Sequence, residues 1–352
     1  MGHKSIFMEV VTMRKLLSLA LVLALAVILP VAAFAEGSLV VYTPNPDEEI
    51  TYILNTFAEK YDVDVELQSM GTGVCYTRLD SEKANPQADV MFGGVETTWT
   101  HDYPDLFETY VANGNDKLPA EYQNPDGLIT YYILGGSCVM IVNDELEAEL
   151  GIEIKSYADL LNPALKGKIA NADPTSSSSA FAHLCNILLA MGDGENPYTS
   201  DAAWSYVESL IGQLDHSLTS GSSAVYKGVG NGEYVVGLSY EIGVAGFIRN
   251  GAQGVHTVYP TEGVCWTPVG SAIVKGAKNM DNAKLFMDWL ISDECQTIMA
   301  EKTVCRGVRT DLFKATEYMP SFDTLNLKQE NEEYTSANKQ TIVDHWTELW
   351  TK

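Results

Sequence analysis

The chain has 352 residues, 46% of them hydrophobic and 20% charged, and its 22 Lys and Arg stand against 47 Asp and Glu for a net charge of −25. A surface this acidic repels nucleic acid and anionic membrane, which excludes both as partners. It also repels anionic ligands at long range, so an anion site must be built locally from N–H groups, hydroxyls or an Arg, whereas a cationic ligand is favoured by the field.

The amino end reads as a targeting segment. Arg14-Lys15 is a basic start, residues 16–31 are an apolar run, and Ala33-Phe34-Ala35 is a small-x-small cleavage site before Glu36. An uncleaved anchor is the alternative, because the run approaches the roughly 20 residues needed to span a bilayer. Residues 1–35 are therefore expected to be a signal peptide that sends the chain across the cytoplasmic membrane, to a periplasm or cell-surface space. They carry Lys4, Arg14, Lys15 and Glu9, so 317 residues with net charge −27 remain, about two domains' worth of chain. All six cysteines lie there: Cys75, Cys138, Cys185, Cys265, Cys295 and Cys305. Export permits disulfides. The pairing is not readable, although Cys295 and Cys305 are a candidate bridge. The wide spacing argues against a structural zinc site, and Cys185, in mid-helix, reads as a small core residue.

Residues 38–42 form a short apolar strand that runs into Thr43-Pro44-Asn45-Pro46-Asp47, a loop with turn chemistry. Ile50, Ile53, Leu54 and Phe57 give a helix opened by Glu48-Glu49. Residues 63–67 alternate as a second strand ending in Met70-Gly71-Thr72-Gly73, and a short helix is expected over 76–83. Residues 88–92 are a third strand, closed by Gly93-Gly94. This β-α-β-α-β order predicts a doubly wound, mainly parallel sheet, whose ligands gather at the strands' carboxyl ends. Thr43, Thr72 and Gly93 sit at those ends. Residues 128–142 then form an extended run long enough to cross between two lobes.

The second half turns on Asp173-Pro174-Thr175-Ser176-Ser177-Ser178-Ser179. Asp173-Pro174 breaks the strand 168–172, and Thr or Ser caps a helix over 180–191 with Ala180, Phe181, Leu184, Ile187, Leu188 and Met191 at helical spacing. One capping serine is ordinary. Four serines beside the unpaired N–H groups and positive dipole end of a helix also suit a phosphate or carboxylate. A second hydroxyl turn, Thr219-Ser220-Gly221-Ser222-Ser223, precedes a short helix over 224–231. Residues 234–238 are a buried-type strand with Ser239-Tyr240-Glu241 at its carboxyl end. Strands at 255–259 and 269–274 flank Glu262-Gly263-Val264-Cys265-Trp266, a second crossing, and amphipathic helices follow over 282–299 and 338–351. The expected division is residues 36–136 with about 260–310 in one lobe and 137–259 with about 311–352 in the other. The crossings fall near 131–142 and 255–268, with a ligand cleft between the lobes.

These features resemble the substrate-binding proteins of ABC importers, in the type II periplasmic-binding-protein superfamily. The branch is the one that holds ferric-iron, hexose-phosphate and aminoethylphosphonate binders. The resemblance is carried by Leu39-Val40-Val41-Tyr42-Thr43, Ala88-Asp89-Val90-Met91-Phe92-Gly93-Gly94, Gly167-Lys168-Ile169-Ala170-Asn171-Ala172-Asp173-Pro174, Gly232-Glu233-Tyr234-Val235-Val236-Gly237-Leu238, Asn282-Ala283-Lys284-Leu285-Phe286-Met287-Asp288-Trp289-Leu290 and Val308-Arg309-Thr310-Asp311. It implies an α/β two-lobed fold closing on a solute, docking on a membrane permease driven by an ATPase subunit, no catalysis and no cofactor. A monomer is expected.

The ligand is open on this evidence. Iron binders of this kind use a carboxylate after the third strand and tandem tyrosines in the second lobe. Here those positions hold Gly93 or Gly94 and Tyr240-Glu241, so no metal is expected and ferric iron is the runner-up, with Glu96 and Tyr42 as its remaining support. An organophosphate or phosphonate suits Tyr42, Thr43, Asn45, Gly71, Thr72, Gly93, Thr175, Ser176, Ser177, Ser178, Ser222, Ser223, Tyr240 and Glu241, with Glu241 accepting from a sugar hydroxyl or pairing with an amine. The plain alternatives are a strand-end ion pair for Glu241, caps for Ser222-Ser223, and packing for Tyr42 and Trp266. Arg78 and Arg309 are phosphate partners or members of salt bridges. A secreted hydrolase is the rival outside the family. No Gly-x-Ser-x-Gly is present, and only a Ser-His183 pairing in the serine helix speaks for it.

Overall fold

The computed structural model describes residues 37–44, 48–95, 100, 103–135 and 138–352. The expected signal segment 1–35, Asn45, Glu96 and Gly136 lie outside the described residues. In chain order the elements are β1 (Ser38–Thr43), α1 (Glu48–Tyr61), β2 (Asp64–Ser69), α2 (Thr72–Glu82), β3 (Val90–Val95), β4 (Thr130–Gly135), β5 (Cys138–Asn143), α3 (Asp144–Leu150), β6 (Ile169–Ala170) and α4 (Ser178–Met191). Then come α5 (Asp201–Leu214), α6 (Ser222–Gly230), β7 (Val236–Tyr240), α7 (Glu241–Arg249), β8 (Val255–Val258), β9 (Thr267–Ile273), α8 (Met280–Leu290), α9 (Asp293–Lys302), β10 (Arg306–Gly307), α10 (Glu332–Ala337) and α11 (Lys339–Trp350). None of the described helices is long and apolar enough to cross a membrane.

Two sheets organise two lobes. The first has the order β10-β4-β9-β3-β1-β2 and the second β6-β7-β5-β8. β1 and β3 are near-continuous apolar runs, as strands covered on both faces must be, whereas β2 at the sheet's edge alternates Val65 and Leu67 with acidic residues. Inside the first lobe Phe57 packs edge-on against Phe286 at 4.9 Å, and Phe92, Trp289 and Leu39 join the same cluster. The second core gathers Met140, Leu184, Leu188, Val207 and Leu238 with Ile342, Trp346 and Leu349 of the last helix.

The sheets are mixed rather than mainly parallel. β1–β3 and β6–β7 are parallel, as βαβ units require. β3–β9, β4–β9, β4–β10, β5–β7 and β5–β8 are antiparallel. The cause is the chain's traffic between lobes: strands that leave and strands that return lie side by side in opposite directions. The run 128–142 divides accordingly, β4 ending in the first sheet and β5 beginning in the second. The chain also passes between the sheets three times, after β4, between β8 and β9, and after β10. The third passage runs beside the second through a parallel Val264–Leu327 bridge, with Val264 N–H donating to Asn326 O at 2.9 Å and Lys328 N–H to Val264 O at 2.8 Å.

Two further expectations are corrected. α2 starts at Thr72, four residues before the expected Tyr76, because Gly71 in extended conformation lets the helix begin directly after the strand. The candidate bridge Cys295–Cys305 is not formed, and all six cysteines are buried free thiols.

Candidate functional site

In the first lobe the carboxyl ends of β1, β2 and β3 meet. Gly93 and Gly94 have φ of 79° and 68°, which only glycine adopts without strain. A Cβ on Gly94 would lie 2.5 Å from Pro44 Cγ and 3.5 Å from Thr72 Cγ2, so backbone and small side chains are gathered tightly there. Gly93 N–H donates to Ser271 Oγ at 3.1 Å, and the buried Thr43 hydroxyl donates to Phe92 O at 2.7 Å. Gly71 is exposed and open, its carbonyl accepting from Val74 and Cys75 N–H. Tyr42 is wholly buried. Its hydroxyl donates to Glu82 Oε2 at 3.0 Å, and the Arg78 guanidinium lies 4.4 Å over its ring. Burial first, and Glu82 second, push its hydroxyl up to about 12. Arg78 itself donates to Glu82 at 2.8 Å and Gln68 at 2.7 Å, and Arg309 to Asp311 and Asp293, so both arginines stand in salt bridges.

In the second lobe the two hydroxyl turns are neighbours. Ala172 bridges Thr219 in parallel, and Thr219 N–H donates to Asn171 O at 2.8 Å, which ties together the segments leading into α4 and α6. Asp173 organises the first turn: its Oδ1 accepts from Thr175 N–H at 2.8 Å and its carbonyl from Ser177 N–H at 2.8 Å. Ser177 is the cap, with Oγ accepting from Ala180 N–H at 3.4 Å and lying 3.3 Å from Ser179 Oγ. Thr175, Ser176 and Ser178 are exposed. Among the described residues no protein acceptor takes the N–H of Ser178, Ser179, Ser222 or Ser223, which are the first-turn donors of the two helices. α6 has no side-chain cap at Gly221, so Ser222 and Ser223 are not spent on capping.

Tyr240 ends β7 as the residue before α7, and Glu241 begins α7, a helix that sequence reasoning missed. The Tyr240 ring folds over its first turn, where a Cβ on Gly243 would lie 2.6 Å from Tyr240 Cζ. Glu241 is 1% exposed and its carboxylate is fully engaged. Oε1 accepts from Tyr259 hydroxyl at 2.6 Å and Arg306 Nη2 at 2.7 Å, while Oε2 accepts from Arg306 Nε at 2.8 Å and Trp266 Nε1 at 3.2 Å. Arg306, on β10 of the first sheet, is the residue the sequence did not single out. Its only signal was an Arg between Cys305 and Gly307 in an otherwise apolar stretch. His183 makes no serine pair: its ring contacts Tyr157 hydroxyl at 3.3 Å and Val139 O at 3.1 Å, and burial lowers its pKa to about 4.

Thr43, Thr72 and Gly93-Gly94 thus lie at the strand ends of one sheet, and the segments leading into Thr175–Ser178 and into Ser222-Ser223 are joined by the Ala172–Thr219 bridge on the other. Among the described residues no hydrogen bond joins the two sets.

Residues 53–322 match the family model described as bacterial extracellular solute-binding protein. A probable ABC transporter periplasmic-binding protein of Sinorhizobium fredii is 27% identical, over 82% of this chain and 80% of its own length. A putative 2-aminoethylphosphonate-binding periplasmic protein of Salmonella typhimurium is 23% identical over 75% of each chain. Among solved structures, the periplasmic binding protein AfuA of Actinobacillus pleuropneumoniae, with exogenous fructose-6-phosphate bound, superimposes with a TM-score of 0.77 at 27% identity, covering 90% of this chain and 99% of AfuA. These are solute-binding proteins rather than enzymes. The chain belongs to the bacterial extracellular solute-binding protein family and has its two-lobed α/β periplasmic-binding-protein fold.

Proposed function

We propose that the chain is the substrate-binding component of an ABC importer and that it captures a small organophosphate or phosphonate. One observation carries the ligand class: the Ala172–Thr219 bridge joins the segments leading into two serine-rich helix starts, which offer four first-turn N–H groups without protein acceptors among the described residues, together with the hydroxyls of Ser176, Ser178, Ser222 and Ser223. Such a cradle holds a phosphoryl group through N–H and O–H donors, which a strongly acidic protein needs if it is to bind an anion at all. Thr43, Gly71, Thr72 and Gly93 form the opposing wall, and closure of the two lobes sequesters the solute for a permease and its ATPase. A relative named for 2-aminoethylphosphonate and a neighbour holding fructose-6-phosphate support the same class. The signal segment agrees with work outside the cytoplasmic membrane.

Titration calorimetry with fructose 6-phosphate, 2-aminoethylphosphonate, inorganic phosphate, fructose and ferric citrate tests this. Binding of at least one phosphoryl or phosphonyl compound, with none to fructose, is expected. Binding of ferric citrate alone would exclude the ligand class.

A further inference from the structure

We infer that Arg306 is a specificity-determining residue: by neutralising Glu241 within the protein it keeps the second lobe's anion cradle from being opposed by a carboxylate. The inference rests on the phosphoryl reading above. Glu241 and α7 begin on the same sheet edge as α4. β6 and β7 are parallel neighbours with Ile169 opposite Val236 and Ala170 opposite Gly237, so the chain leaving β6 toward α4 and the chain leaving β7 into α7 emerge from the same edge of the sheet. A bare carboxylate at the head of α7 would therefore act on whatever the neighbouring helix starts hold. With an effective dielectric near 20, a like charge within roughly 10 Å of a bound anion weakens it about tenfold or more.

Arg306 removes that charge with a bidentate pair, and it does so from the other sheet. Its side chain is fully buried. Beyond Glu241 its polar contact is Pro320 O at 2.8 Å, and its guanidinium carbon lies 4.3 Å from the Phe313 and Phe322 ring centres and 5.1 Å from that of Trp266. Its Nη1 is buried without a hydrogen-bond partner. A buried pair left partly unsatisfied gives little net stability compared with apolar packing, so its main consequence is the local charge balance. Among the described residues, the titratable groups on the carboxylate are Arg306 from β10 and Tyr259 beyond β8, and the indole of Trp266 is the remaining donor.

The test compares the full chain with R306M and with the double variant E241Q/R306M, measuring affinity for fructose 6-phosphate and for spermidine at pH 8. R306M should bind the phosphate about tenfold more weakly or worse, and it should gain spermidine affinity. The double variant should recover phosphate affinity to within about threefold and lose the spermidine gain. A purely structural Arg306 would leave the double variant as weak as the single one, with no spermidine gain in R306M, and that result would overturn the inference. Should the native chain ignore every phosphoryl compound, the functional reading falls, and the spermidine arm still decides the role of Arg306: no gain in R306M refutes it. Urea denaturation of each variant separates lost binding from lost fold.

Discussion

Replacing the serines one at a time separates a helix cap from a ligand site. Ser177 Oγ is the cap, but at 3.4 Å from Ala180 N–H it is a long one. S177A should therefore cost stability near the low end of capping effects, about 0.5–1 kcal/mol. Ser176 and Ser178 are exposed, and neither hydroxyl bonds to protein among the described residues, so S176A and S178A should change stability by less than about 0.5 kcal/mol. Their effect belongs to the ligand. A hydrogen bond to a charged phosphoryl group is worth about 1.5–3 kcal/mol, or roughly tenfold to 150-fold in affinity. In thermal unfolding with ligand at about 100 times the native Kd, the native chain gains about 2.7 kcal/mol, and a variant weakened tenfold gains about 1.4 kcal/mol. Melts with and without ligand give both quantities. S176A and S178A proteins that bind as the native chain does would reduce the serine run to a cap with surplus hydroxyls.

His183, its pKa lowered to about 4 by burial, is neutral in the fold and must charge in acid. A depressed folded pKa means stability that is complete above the unfolded value near 6.5 and is lost as pH falls toward 4, up to about 3 kcal/mol. Urea denaturation of native chain and H183N should therefore diverge at pH 7 and converge at pH 4, and equal slopes with pH would contradict it. The six thiols are buried, and burial raises Cys75 to about 11 and pushes Cys138, Cys185 and Cys295 up as well. A thiol reagent should label them slowly in the native chain and all six after denaturation, whereas fewer than six would reveal a disulfide. E241A leaves the Arg306 charge buried and unpaired, and should cost about 3–5 kcal/mol in the same denaturation assay.

What was legible in the sequence was local. The Ser177 cap, the hydroxyl turns and the glycine pair after β3 are set by neighbours within a few residues, and the sequence named them. The Glu241–Arg306 pair spans 65 residues and two sheets, and nothing beside Arg306 announces a buried carboxylate on another lobe. α7 was hidden by Gly243 and Gly246, which lower helix propensity although Ile242 and Ala245 pack into the first core and Val244 packs with Val139, Ile141 and Ala170 in a separate cluster on the second sheet. Strand direction was misjudged for a related reason. The β-α-β pattern does predict parallel neighbours, but the antiparallel pairs arise from returning passages whose partners are fixed only by the assembled fold.

The most direct measurement is of backbone amide chemical shifts as fructose 6-phosphate or 2-aminoethylphosphonate is added. The amides of Ser178, Ser179, Ser222 and Ser223 should move most, as free N–H donors do when they take a phosphoryl oxygen, with smaller changes at Thr72 and Gly93. Shifts that leave both serine turns unmoved while a ligand binds elsewhere would contradict the assignment.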